Sequence, residues 1–452
     1  MIVSMTPSAL FTDFYELTMM AGYADAGIAD APAVFDLFFR KPPEGVSVLV
    51  AAGQELALDF LENLAFTAED LDYLRTTTLP DNFVDTLAEV RFTGDVYAVA
   101  EGTPVFADQP VMRIEAPLAQ AQLVETALLN AICYSSLVAS NAAEVRRAAG
   151  DKGVLEFGAR RAHGPDGALS ASRAAYVGGC DATSNVEAAR RFGIPVSGTQ
   201  AHAWVMAFPS ELDSFRAYAE TFPDQCILLV DTYDTLDVGV PNALIVAQEM
   251  HDRGQQLAGI RLDSGDLGAL ARGARAQLDA AGFGEVQIVA SGDLDAPRIR
   301  KLMEADAPID SFGVGTALVT AKQDPTISGV YKLAHVGDEA VAKVSATPAK
   351  TTNPGRKQVW RSEDGDVIGL QAEDRPGRSL LLPVMRSGSR LDQPRALATV
   401  RKEALRMRAE LMTLAPGGEV MNWPSRRSTP LEELRGLVLA DMADGTRDGI
   451  AG

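Results

Sequence analysis

The chain has 452 residues, 47% of them hydrophobic, so it is long and apolar enough to bury two or three domain cores. Its formal charge of −20 argues against nucleic acid or an anionic membrane as the main partner. No apolar run approaches the roughly 20 residues that span a bilayer, and three widely spaced cysteines form no CxxC pair, so we expect a cytoplasmic protein without a zinc site.

Residues 1–120 predict an N-terminal α/β domain. Capping residues before an apolar face predict a helix within Thr6–Gly22. Short apolar runs between Gly, Pro and Asp turns predict strands at Ala33–Phe39, Val46–Ala51, Asp95–Ala100 and Val111–Glu115. An alanine-rich helical pattern follows over Ala119–Ala149.

Residues 121–330 predict an α/β barrel, because apolar strands alternate with helical segments from residue 150 onward. The strands end at polar or glycine residues near Phe157, Ser197, Asp231, Asp263, Ser291 and Gly313. The helices are expected at Ser210–Thr221, Pro241–Arg253, Asp266–Ala281 and Asp295–Ala305. Barrels of this class place their active sites at the carboxyl ends of the strands. A doubly wound open sheet is the alternative.

Residues 331–452 predict a segment that rejoins the outer domain. Two hairpins are expected, one with strands Val330–Val336 and Ala340–Val344, the other with strands Gln358–Arg361 and Val367–Leu370. Amphipathic helices follow at Leu397–Leu414 and Pro430–Met442.

Three similar strand ends are the most informative local pattern. The strand Leu257–Leu262 ends in Asp-Ser-Gly-Asp, a Ser-Gly-Asp-Leu sequence returns at 291–294, and Ser311–Thr316 reads Ser-Phe-Gly-Val-Gly-Thr. Glycines with hydroxyls and carboxylates at strand ends suit a backbone that closely approaches a phosphorylated ligand. Each one alone is an ordinary strand-to-helix turn, but three in one chain favour a site.

Two further strand ends carry chemistry. Phe157 with Arg160 and Arg161 offers an aromatic face and two guanidiniums, which suit a planar anionic ligand or a surface ion-pair cluster. His202 follows the Ser197–Thr199 strand end and is either a phosphoryl acceptor, a general base or a core histidine.

Three aspartates and one arginine at two further strand ends are also candidate site residues. Arg261 and Asp263 are two residues apart on a strand and so point the same way; the pair suits either an anionic leaving group and a sugar hydroxyl, or a salt bridge in the barrel mouth. Asp231 and Asp234 are either loop caps or groups near a hydrated Mg²⁺.

Together these motifs resemble the nicotinate phosphoribosyltransferase family, from Thr12 to about Arg361. The matching motifs, in order, are TDFYELTM (12–19), EFGARRA (156–162), GGCDATSNV (178–186), GTQAH (198–202), VDTYDT (230–235), RLDSGDL (261–267), FGVGT (312–316) and GVYKL (329–333). Eight motifs in the right order are highly specific.

The resemblance implies the fold and the reaction. The fold would be the irregular TIM-like α/β barrel of type II phosphoribosyltransferases, with an outer α+β domain built from both ends of the chain. The protein would be a head-to-tail homodimer with shared active sites. The reaction would transfer phosphoribose from phosphoribosyl pyrophosphate to nicotinate, with Mg²⁺ and with ATP as a co-substrate, in the first step of NAD synthesis from nicotinate.

The resemblance also implies roles for individual residues. His202 would be the phosphorylated, energy-coupling residue, Asp263 would hold ribose hydroxyls, and Arg261 with Mg²⁺ would hold the leaving pyrophosphate. The nicotinate ring would lie between Phe157 and Tyr15 of the other subunit, near Arg160 and Ser184. Phosphate and ribose would be bound by Thr199, Ser291, Gly292, Gly313 and Gly315, through backbone N–H groups at the glycines.

Departures from the family pattern leave alternatives open. Ala203 stands where a polar residue is common and His163 where Gln is common. A nicotinamide-using enzyme is one alternative, but such enzymes carry an Asp near Ser184, whereas a hydroxyl donates to the carboxylate of nicotinate. A catalytically silent protein that binds pyridine nucleotides is the other alternative.

Overall fold

The computed structural model describes residues 7–343, 351–415 and 419–443. The described residues form two compact units. The first unit is drawn from 1–140, 326–395 and 402–452, and the second from 141–325 with 396–401. Among the described residues, no helix combines the length and the apolar character that crossing a bilayer requires.

The N-terminal part of the chain alternates helices with short strands. Its helices are α1 (Phe14–Asp25), α2 (Gln54–Glu62), α3 (Ala68–Leu74), α4 (Asp81–Thr86), α5 (Leu118–Leu123) and α6 (Glu125–Ala149). Its strands are β1 (Pro32–Phe39), β2 (Leu49–Val50), β3 (Asp95–Ala98), β4 (Pro104–Val105) and β5 (Pro110–Pro117). Residue 6 of the predicted first helix lies outside the described residues, and the helix itself begins at Phe14.

The middle of the chain repeats strand and helix. Its strands are β6 (Gly153–Glu156), β7 (Ala182–Thr183), β8 (Ile227–Leu229), β9 (Gly259–Leu262), β10 (Gln287–Ala290) and β11 (Ser311–Val314). Its helices are α7 (Gly164–Gly178), α8 (Val186–Phe192), α9 (His202–Met206), α10 (Glu211–Thr221), α11 (Val240–Asp252), α12 (Leu267–Ala280), α13 (Ala296–Glu304) and α14 (Thr316–Val319).

The C-terminal part consists mainly of hairpins and two helices. Its strands are β12 (Gly329–Val336), β13 (Glu339–Ala340), β14 (Lys357–Ser362), β15 (Gly365–Leu370), β16 (Arg378–Ser379), β17 (Leu382–Arg386), β18 (Ser389–Arg390) and β19 (Ser425–Arg427). Its helices are α15 (Leu397–Leu414) and α16 (Thr429–Ala443). Both predicted hairpins are present; residue 344 of the first lies outside the described residues.

Strands from both ends of the chain build the main sheet of the first unit. Its order is β13-β12-β1-β5-β3-β17-β18, and β1 pairs antiparallel with β5 on one side and β12 on the other. Asp36 of β1 is buried against Lys357 of β14, a strand of a separate four-stranded sheet, and Lys357 Nζ lies 2.7 Å from Asp36 Oδ2. Lys357 also donates to the carbonyls of Asn353 and Gly355, so its three protons are all used. The C-terminal segment therefore completes the N-terminal core.

The parallel sheet of the second unit has the strand order of a barrel. The order is β7-β6-β11-β10-β9-β8, so the last strand, β11, pairs with the first, β6. An order that runs cyclically through the chain is typical of a closed α/β barrel and not of a doubly wound sheet. Between β7 and β8, Val196 forms a bridge to Thr183, and Gln200 Nε2 donates to the carbonyl of Ile227 at 3.4 Å. The barrel is irregular at this point.

Capping side chains set the helix starts that the sequence predicts. Ser210, Asp266 and Asp295 each accept a hydrogen bond from the backbone N–H three residues later, and α10, α12 and α13 begin directly after them. The strand that was predicted to end at Val196–Thr199 is reduced to a single bridge, formed by Val196.

Candidate active site

The carboxyl ends of four neighbouring strands, β6, β11, β10 and β9, enclose a pocket of about 430 Å³. Phe157, Arg160 and Arg161 line it after β6; Asp263, Ser264, Gly265 and Leu267 after β9; Ser291, Gly292, Asp293 and Arg298 after β10; and Gly313, Gly315 and Thr316 at the end of β11. The three similar strand ends found in the sequence therefore meet in one place, together with the Phe157 motif.

Basic side chains outnumber acidic ones in this pocket. Arg160, Arg161 and Arg298 line it together with Asp263 and Asp293. In a chain with a net charge of −20, this local excess of guanidinium groups creates a site for an anionic ligand.

Asp263 is held from two sides. Its backbone N–H donates to Asp231 Oδ2 at 2.8 Å, and the same carboxylate oxygen accepts the Ser264 hydroxyl at 2.8 Å. Ser291 Oγ donates to Asp263 Oδ1 at 2.5 Å. The Ser291 N–H donates to the carbonyl of Leu262 at 2.8 Å, so both donors of this serine are used within the fold. Asp231 acts as a loop cap, one of the two roles expected for it.

Glycine is required at two positions of the pocket wall. Gly292 has φ +93°, and a Cβ there would lie 1.8 Å from the carbonyl oxygen of Asp263. At Gly313 a Cβ would lie 2.6 Å from Cδ2 and Cε2 of the Phe157 ring. The ring of Phe157 therefore rests directly on the backbone of β11.

We expect Gly313→Ala to weaken binding of a planar ring ligand about 10- to 100-fold, because the new methyl group must displace the Phe157 ring. The measurement is the dissociation constant of such a ring ligand. Gly284→Ala is the control, since a Cβ there meets only Asp279 Oδ1, at 3.6 Å. Equal ligand affinity in Gly313→Ala and wild type would show that the ring position does not matter.

Arg261, Thr199 and His202 do not line this pocket. Arg261 Nη1 donates to Thr199 Oγ1 at 2.5 Å. Burial lowers the pKa of Arg261, and the carboxylates of Asp263 and Asp231 partly offset that effect, so Arg261 lies within electrostatic range of the pocket. His202 is the first residue of α9, and its Nδ1 lies 3.0 Å from Thr232 Oγ1, just beyond β8.

Ser184 and Tyr15 also lie outside the pocket lining. Ser184 is half-buried in the loop after β7, and its N–H donates to the Glu156 carbonyl at 2.9 Å. Tyr15 lies on α1 of the first unit and is 45% exposed. Its neighbour Glu16 is fully buried and accepts hydrogen bonds from the Thr126 N–H and hydroxyl at 2.9 and 2.6 Å, and from Thr12.

Burial raises the pKa of Glu16 to about 7, despite the opposing hydrogen bonds from Thr12 and Thr126. Because the folded state binds this proton more tightly than the unfolded state, stability should fall as pH rises from about 4.5 to about 7, by up to about 3 kcal/mol. We expect Glu16→Gln to remove this decline, which thermal unfolding between pH 5 and 8 would measure. Glu89→Gln, at an exposed site in the same unit, should leave the profile unchanged. Parallel profiles for Glu16→Gln and wild type would contradict the prediction.

Sequence reasoning assigned no role to Asp293, Arg298 or Thr316, although all three line the pocket. Arg298 Nη1 donates to the carbonyl of Asp293 at 2.7 Å and so braces a residue with φ +46°. The position of Arg298 could have revealed it, because this residue lies in the first turn of the helix that follows the Ser-Gly-Asp strand end, next to a predicted phosphate-binding turn.

Other features of the described residues were also considered as sites. No cluster of three or more His, Cys, Asp or Glu side chains in the described ranges is arranged to hold a metal ion. A second cavity of about 430 Å³ lies in the first unit, lined mainly by apolar side chains such as Val48, Phe106 and Trp423. It contains none of the strand-end motifs.

Comparisons with known proteins agree with this geometry. Residues 10–133 match the family model described as the nicotinate phosphoribosyltransferase (NAPRTase) N-terminal domain, and residues 153–380 match the NAPRTase family model. A nicotinate phosphoribosyltransferase from Bacillus subtilis is 47% identical over 377 residues, covering 81% of this chain and 76% of the relative. One from Mycobacterium tuberculosis is 46% identical over 391 residues, covering 85% and 83%.

Solved structures agree as well. The crystal structure of human nicotinic acid phosphoribosyltransferase superposes with a TM-score of 0.81 at 29% identity, covering 94% of this chain and 99% of that one. A nicotinate-nucleotide pyrophosphorylase from Pyrococcus furiosus shares the fold, with a TM-score of 0.74 at 24% identity, covering 89% and 95%.

Proposed function

The chain belongs to the nicotinate phosphoribosyltransferase family, and from this premise we propose that it converts nicotinate and phosphoribosyl pyrophosphate into nicotinate mononucleotide and pyrophosphate. The observation that carries the proposal is the pocket at the strand ends, where an aromatic ring, three guanidiniums and glycine-rich backbone meet. These groups suit a planar acid and a phosphorylated sugar.

In the proposed reaction, the bond between ribose C1′ and a pyrophosphate oxygen breaks, and a bond from the nicotinate ring nitrogen to C1′ forms. The transition state has oxocarbenium character, so orientation and charge stabilisation matter more than an enzyme nucleophile. Asp263, held by Asp231 and Ser291, would bind the ribose hydroxyls and stabilise positive charge at C1′.

The ring and the phosphates would occupy adjacent parts of the pocket. Phe157 would stack on nicotinate, with Arg160 near its carboxylate and the Ser184 hydroxyl as a donor. Backbone N–H groups of Gly292, Gly313 and Gly315 would face the 5′-phosphate, and Arg298 also lines this pocket. A Ser291 contact to phosphate requires its hydroxyl to turn away from Asp263.

The pyrophosphate would lie toward Arg261 and Thr199. Mg²⁺ fits this arrangement, because the carboxylates of Asp263 and Asp293 offer the oxygen ligands it prefers, beside the oxygens of the substrate. When bound, Mg²⁺ would neutralise charge on the departing pyrophosphate. ATP would act as a co-substrate by phosphorylating His202.

A homodimer with shared sites would bring Tyr15 of one subunit over the ring bound by Phe157 of the other. We expect Tyr15→Ala and Phe157→Ala each to be nearly inactive, and mixed dimers of the two to regain activity, since each hybrid holds one intact site. The measurement is activity after subunit exchange, with hybrid formation verified by mass. Each variant exchanged with itself is the control. Verified hybrids without recovered activity would contradict the shared site.

The direct test of the function is a product assay. Purified protein, phosphoribosyl pyrophosphate and Mg²⁺ are mixed with nicotinate or nicotinamide, with and without ATP. We expect nicotinate mononucleotide with nicotinate, a far slower reaction with nicotinamide, and stimulation by ATP. No mononucleotide at any enzyme concentration would overturn the proposal, and a faster reaction with nicotinamide would replace nicotinate as the substrate.

A further inference from the structure

Glu156, the last residue of β6, has a carboxylate that the proposed reaction does not use. This residue is buried, with 1% of its surface exposed. β6 lies between β11 and β7, with Glu156 in register with Val314 and Thr183. A carboxylate removed from water to this extent is stable only if donors satisfy both of its oxygens.

The two oxygens of Glu156 bind different loops. Oε1 accepts the Gly158 N–H at 2.5 Å, which fixes the turn directly after Phe157. Oε2 accepts the hydroxyls of Thr183 at 2.5 Å and Ser172 at 2.9 Å. One side chain therefore connects the Phe157 loop to the segment that carries Ser184.

The direction of these hydrogen bonds is determined by chemistry. A carboxylate only accepts, so Thr183 must donate to Glu156 and use a lone pair to accept the Asn185 N–H at 3.0 Å. Ser172 likewise accepts from Asn185 Nδ2 at 3.2 Å. The backbone adds a parallel connection, since the Ser184 N–H donates to the Glu156 carbonyl at 2.9 Å. Ser184 is thus flanked by residues whose positions depend on Glu156.

We propose that Glu156 is the positioning residue that sets Phe157 and Ser184 relative to each other and thereby governs selection of the ring substrate. This inference rests on the proposed function, in which Phe157 stacks on nicotinate and Ser184 donates to its carboxylate. Arg298 lies on α13 and Gly292 follows β10, so neither belongs to the segments that Glu156 connects, and Glu156 should affect ring binding far more than binding of phosphoribosyl pyrophosphate.

The first test variant keeps the negative charge of the Glu156 side chain but makes the side chain shorter. In Glu156→Asp, one methylene is lost, so a single carboxylate can no longer bind both Gly158 and Thr183. We expect the KM for nicotinate to rise about 10-fold or more, with the KM for phosphoribosyl pyrophosphate within about 3-fold of wild type, and discrimination against nicotinamide to fall. Glu156→Gln keeps the length of the side chain, and the hydroxyls of Thr183 and Ser172 can rotate to accept hydrogen bonds from its NH₂ group. This variant should therefore bind nicotinate more nearly as the wild type does.

Two companion variants keep the result interpretable. Thr183→Val removes one donor at nearly constant volume and should reproduce the selective rise in KM, whether or not Glu156→Asp folds. Asp310→Asn changes a carboxylate at the opposite end of the same sheet, where it accepts the Ile288 N–H, and should leave both KM values unchanged.

Calorimetric titration with nicotinate separates this inference from the proposed function. A wild-type protein that binds nicotinate without forming the mononucleotide overturns the function, while the comparison of dissociation constants still decides the role of Glu156. Equal KM changes for both substrates in folded Glu156→Asp or Thr183→Val, or an unchanged dissociation constant for nicotinate, overturn the positioning role.

Discussion

Asp263→Asn is expected to lower kcat about 10²- to 10³-fold with a much smaller change in the KM for phosphoribosyl pyrophosphate. In the proposed reaction, the amide would still hydrogen-bond to a ribose hydroxyl but would no longer offer a negative charge to the oxocarbenium-like transition state. The surrounding loop should persist, because Asp231 holds it through the backbone N–H of residue 263 and the Ser264 hydroxyl. Steady-state kinetics with both substrates varied would measure the two effects.

The matched control for this variant is Asp266→Asn, three residues along the same loop. Asp266 caps α12 by accepting the Ala269 N–H at 3.0 Å and does not line the pocket. Asn caps a helix about as well as Asp, so this variant should retain both activity and stability. An Asp263→Asn enzyme within about 3-fold of wild-type kcat would remove Asp263 from the reaction.

His202→Ala is expected to abolish both ATP hydrolysis and acid-labile phosphate incorporation while leaving ATP-independent transfer. In the proposed step, the imidazole nitrogen would attack the γ-phosphorus of ATP, the bond to the bridging oxygen would break, and ADP would leave. Since Nδ1 lies 3.0 Å from the Thr232 hydroxyl, we expect the phosphoryl group on Nε2. Labelling with γ-³²P ATP and product assays with and without ATP would measure both activities.

His251→Ala serves as the control, because this exposed histidine lies in the last turn of α11. It should incorporate phosphate as the wild type does. Undiminished labelling and ATP stimulation in folded His202→Ala would show that the histidine only hydrogen-bonds to Thr232, one of the roles left open by the sequence.

The fold was predictable to a large extent because its signals are local. Asp266 and Asp295 are capping residues that announce helix starts, and glycine with polar residues after each apolar run marks the strand ends. The cyclic strand order needed the structure, since pairing of β11 with β6 joins residues 158 positions apart, such as Ser311 and Gly153, and no local pattern encodes such a relation. An apolar strand was predicted to end at Val196–Thr199, and there only Val196 forms a bridge.

The part of the site that could be predicted from the sequence consists of residues in motifs at the strand ends. Phe157, Arg160, Asp263, Ser291, Gly292, Gly313 and Gly315 all line one pocket. Glu156 escaped attention as a connecting residue because its partners, Gly158, Ser172 and Thr183, come from three separate segments. His202, Arg261 and Thr199 lie beyond the pocket lining, and their roles remain predictions.

The strand order of the first unit has a consequence for synthesis on the ribosome. β1 leaves the exit tunnel early, but its neighbour β12 follows only after the whole barrel segment has been translated. Until then the nascent chain carries an unpaired, largely apolar strand edge, the kind of surface that recruits chaperones or aggregates. The second unit is also incomplete until late in translation, because it includes residues 396–401. Within this unit, Arg401 donates to the carbonyl of Cys180 at 2.8 Å. Neither unit can be completed co-translationally in order, so overexpression yield should depend on chaperone capacity more than on final stability.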